Sequence, residues 1–194
     1  MSKHEVHTRG VIISRFSAGE GSVRAALFTE HLGLVTGFAK SAREERSKLR
    51  PHLVVGTIGH FDLVRGRDIW RVTGATATRN AYFAHTTCRE VQQVAVRYIA
   101  LLRTLIQGED RDEEVFRAVW DFLTALHTVP EAMLVHAERF AVLTLLAHLG
   151  YVSREAVPGT VAFDYSVTSL EKLVPLEKSI AEAMKQGFVA SGLL

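Results

Sequence analysis

Residues 39–51, AKSAREERSKLRP, carry Lys40, Arg43, Arg46, Lys48 and Arg50 against only Glu44 and Glu45. Cations at that density suit one kind of chemistry: they replace counterions condensed on a polyanion, and each phosphate they neutralise steepens the salt dependence of binding. Arg65, Arg67 and Arg71 follow closely enough in sequence to line the same side of a small domain. If about five of these side chains engage single-stranded DNA, the log–log salt slope falls near −3 to −4, from about 0.7 per phosphate. Trp70, Phe38 and Phe16 offer rings for base stacking or, at strand spacing, for a core. Phe16 reads as core, and Trp70 fits either role. A solvated loop that keeps the chain soluble would carry the same charges, so charge alone leaves both readings open.

Other chemistry finds little support. The chain has 9 histidines, but HEVH at 4–7 lacks the i,i+4 spacing of a zinc-protease helix, and His127, His136 and His148 have no carboxylate pair in sequence to complete a metal shell. SAGEGS at 17–22 lacks the Lys-Ser/Thr ending of a phosphate loop and precedes a strand, so it reads as a turn. Cys88 is the single cysteine, which excludes an intramolecular disulfide and a multi-cysteine zinc site and points to a reducing cytosol. No serine sits in a G-x-S-x-G elbow. The expectation is a non-enzymatic protein with no catalytic residue, metal or cofactor. No signal-peptide pattern or long apolar run suggests export or a membrane span.

The charges divide unevenly along the chain. Residues 1–80 hold thirteen Lys or Arg against seven Asp or Glu, whereas the remainder holds ten against fourteen. A basic module for a polyanion thus precedes a mildly acidic one suited to protein contacts. The basic part, rich in Val, Ile, Thr and Phe with frequent glycines, reads as five strands near 6–16, 22–29, 33–40, 53–64 and 68–78. Short turns join all but the third and fourth, which flank the basic stretch. That pattern matches a small Greek-key barrel of the oligonucleotide/oligosaccharide-binding (OB) kind, although an SH3-like barrel reads almost the same.

After Tyr82 the apolar period changes to that of helices. Val91, Val94, Ala95, Tyr98, Leu102, Leu105 and Ile106 form one stripe; Val115, Phe116, Val119, Leu123 and Leu126 form another. Thr128 and Glu131 have the spacing of a capping box before a central third helix, 130–149, ending at Gly150. After an irregular connection at 151–168, Leu173, Leu176, Ile180, Met184 and Phe188 mark one side of a last helix. The predicted class is α+β: a five-stranded OB-fold barrel over 1–80, then an all-helical domain over 81–194.

The segment GVIISRFSAGEGSVRAALFTEHLGLVTGFAKSAREERSKLRPHL resembles the N-terminal domain of the RecO family of bacterial recombination mediators, through Gly19-Glu20, Leu27-Phe28-Thr29, Gly33, Ala39-Lys40, Ala42-Arg43 and Ser47-Lys48-Leu49-Arg50. VRGRDIWRVTGA and ERFAVLTLLAHLGY are similar to a later hairpin and to the helical signature of the same family. The resemblance implies an OB-fold with a helical domain, binding of single- and double-stranded DNA, and annealing of complementary strands. It also implies contact with the acidic tail of single-strand-binding protein, work with RecR to help RecA load, and a cytoplasmic, nucleoid-associated site of action.

The family's basic positions carry over to Lys40, Arg43, Lys48 and Arg50, with Arg65, Arg67 and Arg71 as additions, and Arg139 is a candidate for the acidic tail. Two departures stand out. Ser41 occupies a position where the family usually has Gly, which opens the turn geometry to change. The four-cysteine zinc module that many members carry has no counterpart in VSREAVPGTVAFDY. The competing expectation is a protein-interaction adaptor whose barrel is only a scaffold.

Overall fold

The computed structural model describes residues 5–81, 89–159 and 164–193; Cys88 lies outside them. Five strands, β1 (Glu5–Ala18), β2 (Ser22–Thr29), β3 (Gly33–Ala39), β4 (Thr57–Arg65) and β5 (Trp70–Asn80), close into a barrel in the order β1-β2-β3-β5-β4. Successive strands β1, β2 and β3 pair antiparallel, as do β4 with β5 and β1 with β4. The closing pair, β3 with β5, is parallel. Parallel neighbours need a long crossover, and the 40–56 connection followed by β4 supplies it. This is the OB topology, which settles the choice left open against an SH3-like barrel.

Inside, Ile12, Leu27, Val35, Phe61 and Leu63 fill the barrel together with Ala42 and Leu53 of the connection. Leu53 is wholly buried. Burial of such a side chain contributes about 2 kcal/mol, which anchors the basic connection to the barrel. For this reason β4 starts at Thr57 and not at 53: residues 53–56 belong to the anchor.

The helices are α1 (Arg89–Leu105), α2 (Glu113–Ala125), α3 (Leu134–His148), α4 (Val167–Glu171) and α5 (Glu177–Ala190). In α2, the Asp112 carboxylate accepts a hydrogen bond from the Val115 amide at 2.9 Å and so caps the first turn. The third helix is central as expected, with Leu134, Phe140, Leu143, Leu145 and Leu146 buried against its neighbours. It ends in a Schellman turn: Gly150 adopts φ 80°, and the Tyr151 and Gly150 amides donate to the carbonyls of Leu146 and Ala147.

Three expectations for the helical part fail. Thr128 and Glu131 form no capping box; the Thr128 hydroxyl donates to the Ala125 carbonyl, and a 3-10 turn at Glu131–Met133 precedes α3. The last helical stretch is not continuous. Pro175, whose ring cannot be accommodated inside an α-helix, sits in a 3-10 turn at Val174–Leu176 that separates α4 from α5. That break turns Leu176 outward, leaving it 39% exposed, while Leu173 and Ile180 are buried as expected.

Barrel and helices share one apolar core at their junction. Val11, Ile13, Phe28 and Ile58 of the barrel join the buried side chains of α1, α2 and α3, with Phe28 and Phe116 rings 5.6 Å apart. Arg9 bridges the same seam, forking onto Glu30 at 2.8 and 2.6 Å while its guanidinium lies 5.7 Å from the Phe116 ring and 5.0 Å from that of Trp120. Gly33, at φ 65°, meets the Asp110 backbone so closely that an added Cβ would lie 2.3 Å from its carbonyl oxygen. Beside it the Leu34 amide donates to the Gly108 carbonyl at 3.0 Å. The helices thus cover the barrel beside Val11, Phe28 and Leu34.

Candidate nucleic-acid interface

A β-bulge in the first strand decides which side chains face the candidate site. Ile12 pairs with Leu27, but the register then shifts, so that Ser14 pairs with Ala26, Arg15 with Ala25 and Phe16 with Arg24. Unbroken alternation would put Phe16 on the inner face with Ile12; one extra residue exchanges the faces. Phe16 is therefore 59% exposed, which overturns its assignment to the core. The same shift gives Arg15 the inward register of buried Ala25, at the end of β1 beyond the filled interior.

There Arg15 meets the basic connection. With Arg43, Arg50, Pro51 and Val54 it lines an open depression of about 510 Å³. Hydrogen bonds hold the connection in place: the Arg43 amide donates to the Gly21 carbonyl at 2.8 Å, the Gly56 amide to that of Ile12 at 2.8 Å, and the Ala77 amide to the His52 imidazole Nδ1 at 3.1 Å. Arg50 opens the 3-10 turn Arg50–His52. Three guanidiniums around one depression offer planar forks that match phosphate oxygens. Arg15 was missed in the sequence because its position depends on the bulge, which only strand pairing reveals.

The other expected cations divide into two kinds. Lys40, Arg46, Lys48, Arg67 and Arg71 are exposed and, like Arg15, Arg43 and Arg50, form no ion pair among the described residues. Arg65 is engaged: its guanidinium bonds both Glu109 oxygens, at 3.2 and 2.9 Å, and lies 5.0 Å from the centre of the Trp70 ring. Trp70 itself is 7% exposed in the barrel core, so a base-stacking role does not fit it. At strand spacing its position faces inward with Val72, and the Arg65 guanidinium lies over its ring.

Ser41 keeps the backbone its position demands. Its φ is 52°, in the left-handed region that glycine enters freely and other residues enter at a cost of about 1–2 kcal/mol. The turn that follows β3 thus survives the exchange of Gly for Ser. Arg139 pairs with Glu177 at the start of α5. An acidic tail would have to displace that carboxylate, so Arg139 is not a free anchor. Among the described residues no group of three His, Cys, Asp or Glu side chains converges as a metal site, and no helix is long and apolar enough to cross a membrane.

Residues 1–81 match the family model described as Recombination protein O N terminal. The DNA repair protein RecO of Dehalococcoides mccartyi strain 195 is 28% identical over 148 residues, covering 76% of this chain and 57% of the relative. That of strain CBDB1 is 38% identical over 72 residues, 37% of this chain and 28% of the relative. The DNA repair protein RecO of Chlorobium phaeobacteroides is 24% identical over 149 residues, 75% of this chain and 56% of the relative. The matched part thus spans little more than half the length of these relatives, or less.

Proposed function

We propose that the chain, whose residues 1–81 match the N-terminal model of the RecO family and which is similar to RecO relatives over about three quarters of its length, acts in DNA repair as a recombination mediator that holds DNA by its phosphates. One observation carries this reading: Arg15, Arg43 and Arg50, all without a carboxylate partner among the described residues, line one depression at the end of an OB barrel. Lys40, Arg46 and Lys48 lie on the same connection.

The mechanism is electrostatic and non-covalent. Guanidiniums displace condensed counterions, so binding is favoured by their release and is tolerant of sequence. A strand held in this way presents reduced charge to its complement, which lowers the repulsion that opposes pairing. The protein therefore binds single- and double-stranded DNA, anneals complementary strands and, with RecR, assists RecA on DNA covered by single-strand-binding protein. Association with the nucleoid follows from the DNA affinity.

Annealing of complementary oligonucleotides tests the reading. The chain should accelerate pairing, and a variant with Lys40, Arg43, Lys48 and Arg50 changed to Glu should not, while melting at the temperature of the wild type. Wild-type annealing no faster than spontaneous pairing would overturn the mediator reading. Negligible DNA affinity at moderate salt, with a protein partner still captured by the helices, would favour the adaptor in its place.

A further inference from the structure

The outer face of the barrel carries a second feature that the phosphate depression does not use. Strand registers place Phe16 opposite Arg24, Arg24 opposite Phe38, and Phe38 opposite Arg71. All four face outward: Val23 and Ala25 flank Arg24, Gly37 and Ala39 flank Phe38, and Trp70 and Val72 flank Arg71, and each of these flanking residues is buried. One row across four neighbouring strand positions therefore alternates ring, guanidinium, ring, guanidinium. With strands about 4.8 Å apart, the two rings sit about 10 Å from each other with Arg24 between them.

We infer that this row, Phe16–Arg24–Phe38–Arg71, is a stacking platform for the unpaired bases of single-stranded DNA, and that it lets the protein discriminate single strands from duplex. The inference rests on the DNA-binding reading above. Three features favour this occupant. A ring 59% exposed on a strand is a large apolar surface left to solvent, although the neighbouring outer positions Ala26, Phe28 and Leu34 are covered by the helical core. Arg24 and Arg71 form no ion pair among the described residues, so their planar groups are available to stack on bases or meet the backbone. Lys40 follows Phe38 by two positions, which prolongs the cationic surface from the row toward the 40–50 connection. A duplex hides its base faces within the stack and gains nothing from the rings, whereas each splayed base gains a partner.

Affinity for an oligo-dT strand and for a duplex of equal length, measured by fluorescence anisotropy across salt concentrations, tests the proposal on Phe16→Ala, Phe16→Leu and Phe16→Trp. Because Phe16 is exposed, these variants keep the fold, which melting curves check. Phe16→Ala and Phe16→Leu should lose about 5- to 150-fold in single-strand affinity. Duplex affinity and the single-strand salt slope should stay unchanged, since no phosphate contact is removed. Phe16→Trp should retain the single-strand preference and show indole quenching on binding the strand but not the duplex.

Equal losses on strand and duplex, full activity of Phe16→Leu, or no loss at all would overturn the platform while leaving the phosphate site intact. A wild type with no salt-dependent DNA affinity would overturn the DNA-binding reading itself. Phe38→Leu provides the second position in the row, with the same expectations.

Discussion

Replacing Arg15, Arg43 and Arg50 together by glutamine removes three cations from the depression they share. All three are exposed and form no ion pair among the described residues, so the substitutions should change stability by no more than about 0.5 kcal/mol each. Their effect on DNA should be large. At about 0.7 per phosphate for a single strand, losing three contacts reduces the magnitude of the log–log salt slope by about 2. A wild-type slope near −3.5 would become about −1.4. Between 50 and 200 mM salt, a fourfold change, the wild type should lose about 100-fold in affinity and the variant less than about 10-fold. Anisotropy titrations of a labelled oligonucleotide at four or five salt concentrations give both slopes. A variant that keeps the wild-type slope, with its melting temperature unchanged, would refute the assignment of phosphates to this depression. Loss of affinity with an unchanged slope would show that the arginines act on shape rather than charge, which also contradicts the reasoning.

Ser41→Gly should relieve the left-handed strain, less the greater flexibility of the unfolded chain, for a net stabilisation of up to about 1 kcal/mol; chemical denaturation checks it, and a destabilised variant would contradict the backbone assignment. Gly33→Ala should destabilise by at least about 2 kcal/mol, because its φ is positive and its Cβ would strike the Asp110 carbonyl; a wild-type denaturation midpoint would show that the junction is not built this way. Acid should weaken the Arg9–Glu30 bridge. The fork from Arg9 holds the Glu30 carboxyl below its ordinary 4.5, so its contribution is present above that value and is lost as pH falls through the lower folded value. Stability of the wild type should therefore fall more steeply with acid than that of Glu30→Gln below about pH 4.5, and identical profiles would exclude the bridge as an acid-sensitive element.

The architecture was legible where one rule governs it. Alternation and glycine-marked turns gave five strands, and the apolar stripes gave α1, α2 and the central α3 with its Gly150 stop. Barrel closure was not, because the parallel β3–β5 pair joins segments more than thirty residues apart in the chain. At the site, charge density pointed to Arg43 and Arg50, which the fold does bring together. Phe16 and Arg15 were misread or missed for a single reason: a bulge between Ile12 and Ser14 exchanges the faces of β1, and no residue type there announces it. Trp70 and Arg65 illustrate the opposite limit. A tryptophan beside arginines looks like a base-stacking site in sequence, yet Trp70 fills the barrel while Arg65 covers it and binds Glu109, a carboxylate from beyond the strand region. The Arg139–Glu177 pair likewise joins residues thirty-eight apart, which sequence spacing does not reveal.

Mass-spectrometric footprinting of arginine reactivity, with and without a saturating oligonucleotide, tests the central assignment most directly. DNA should protect Arg15, Arg43 and Arg50 together and leave Arg139 unchanged. Protection confined to the helical region, or an unchanged reactivity of all three arginines on bound protein, would contradict the account.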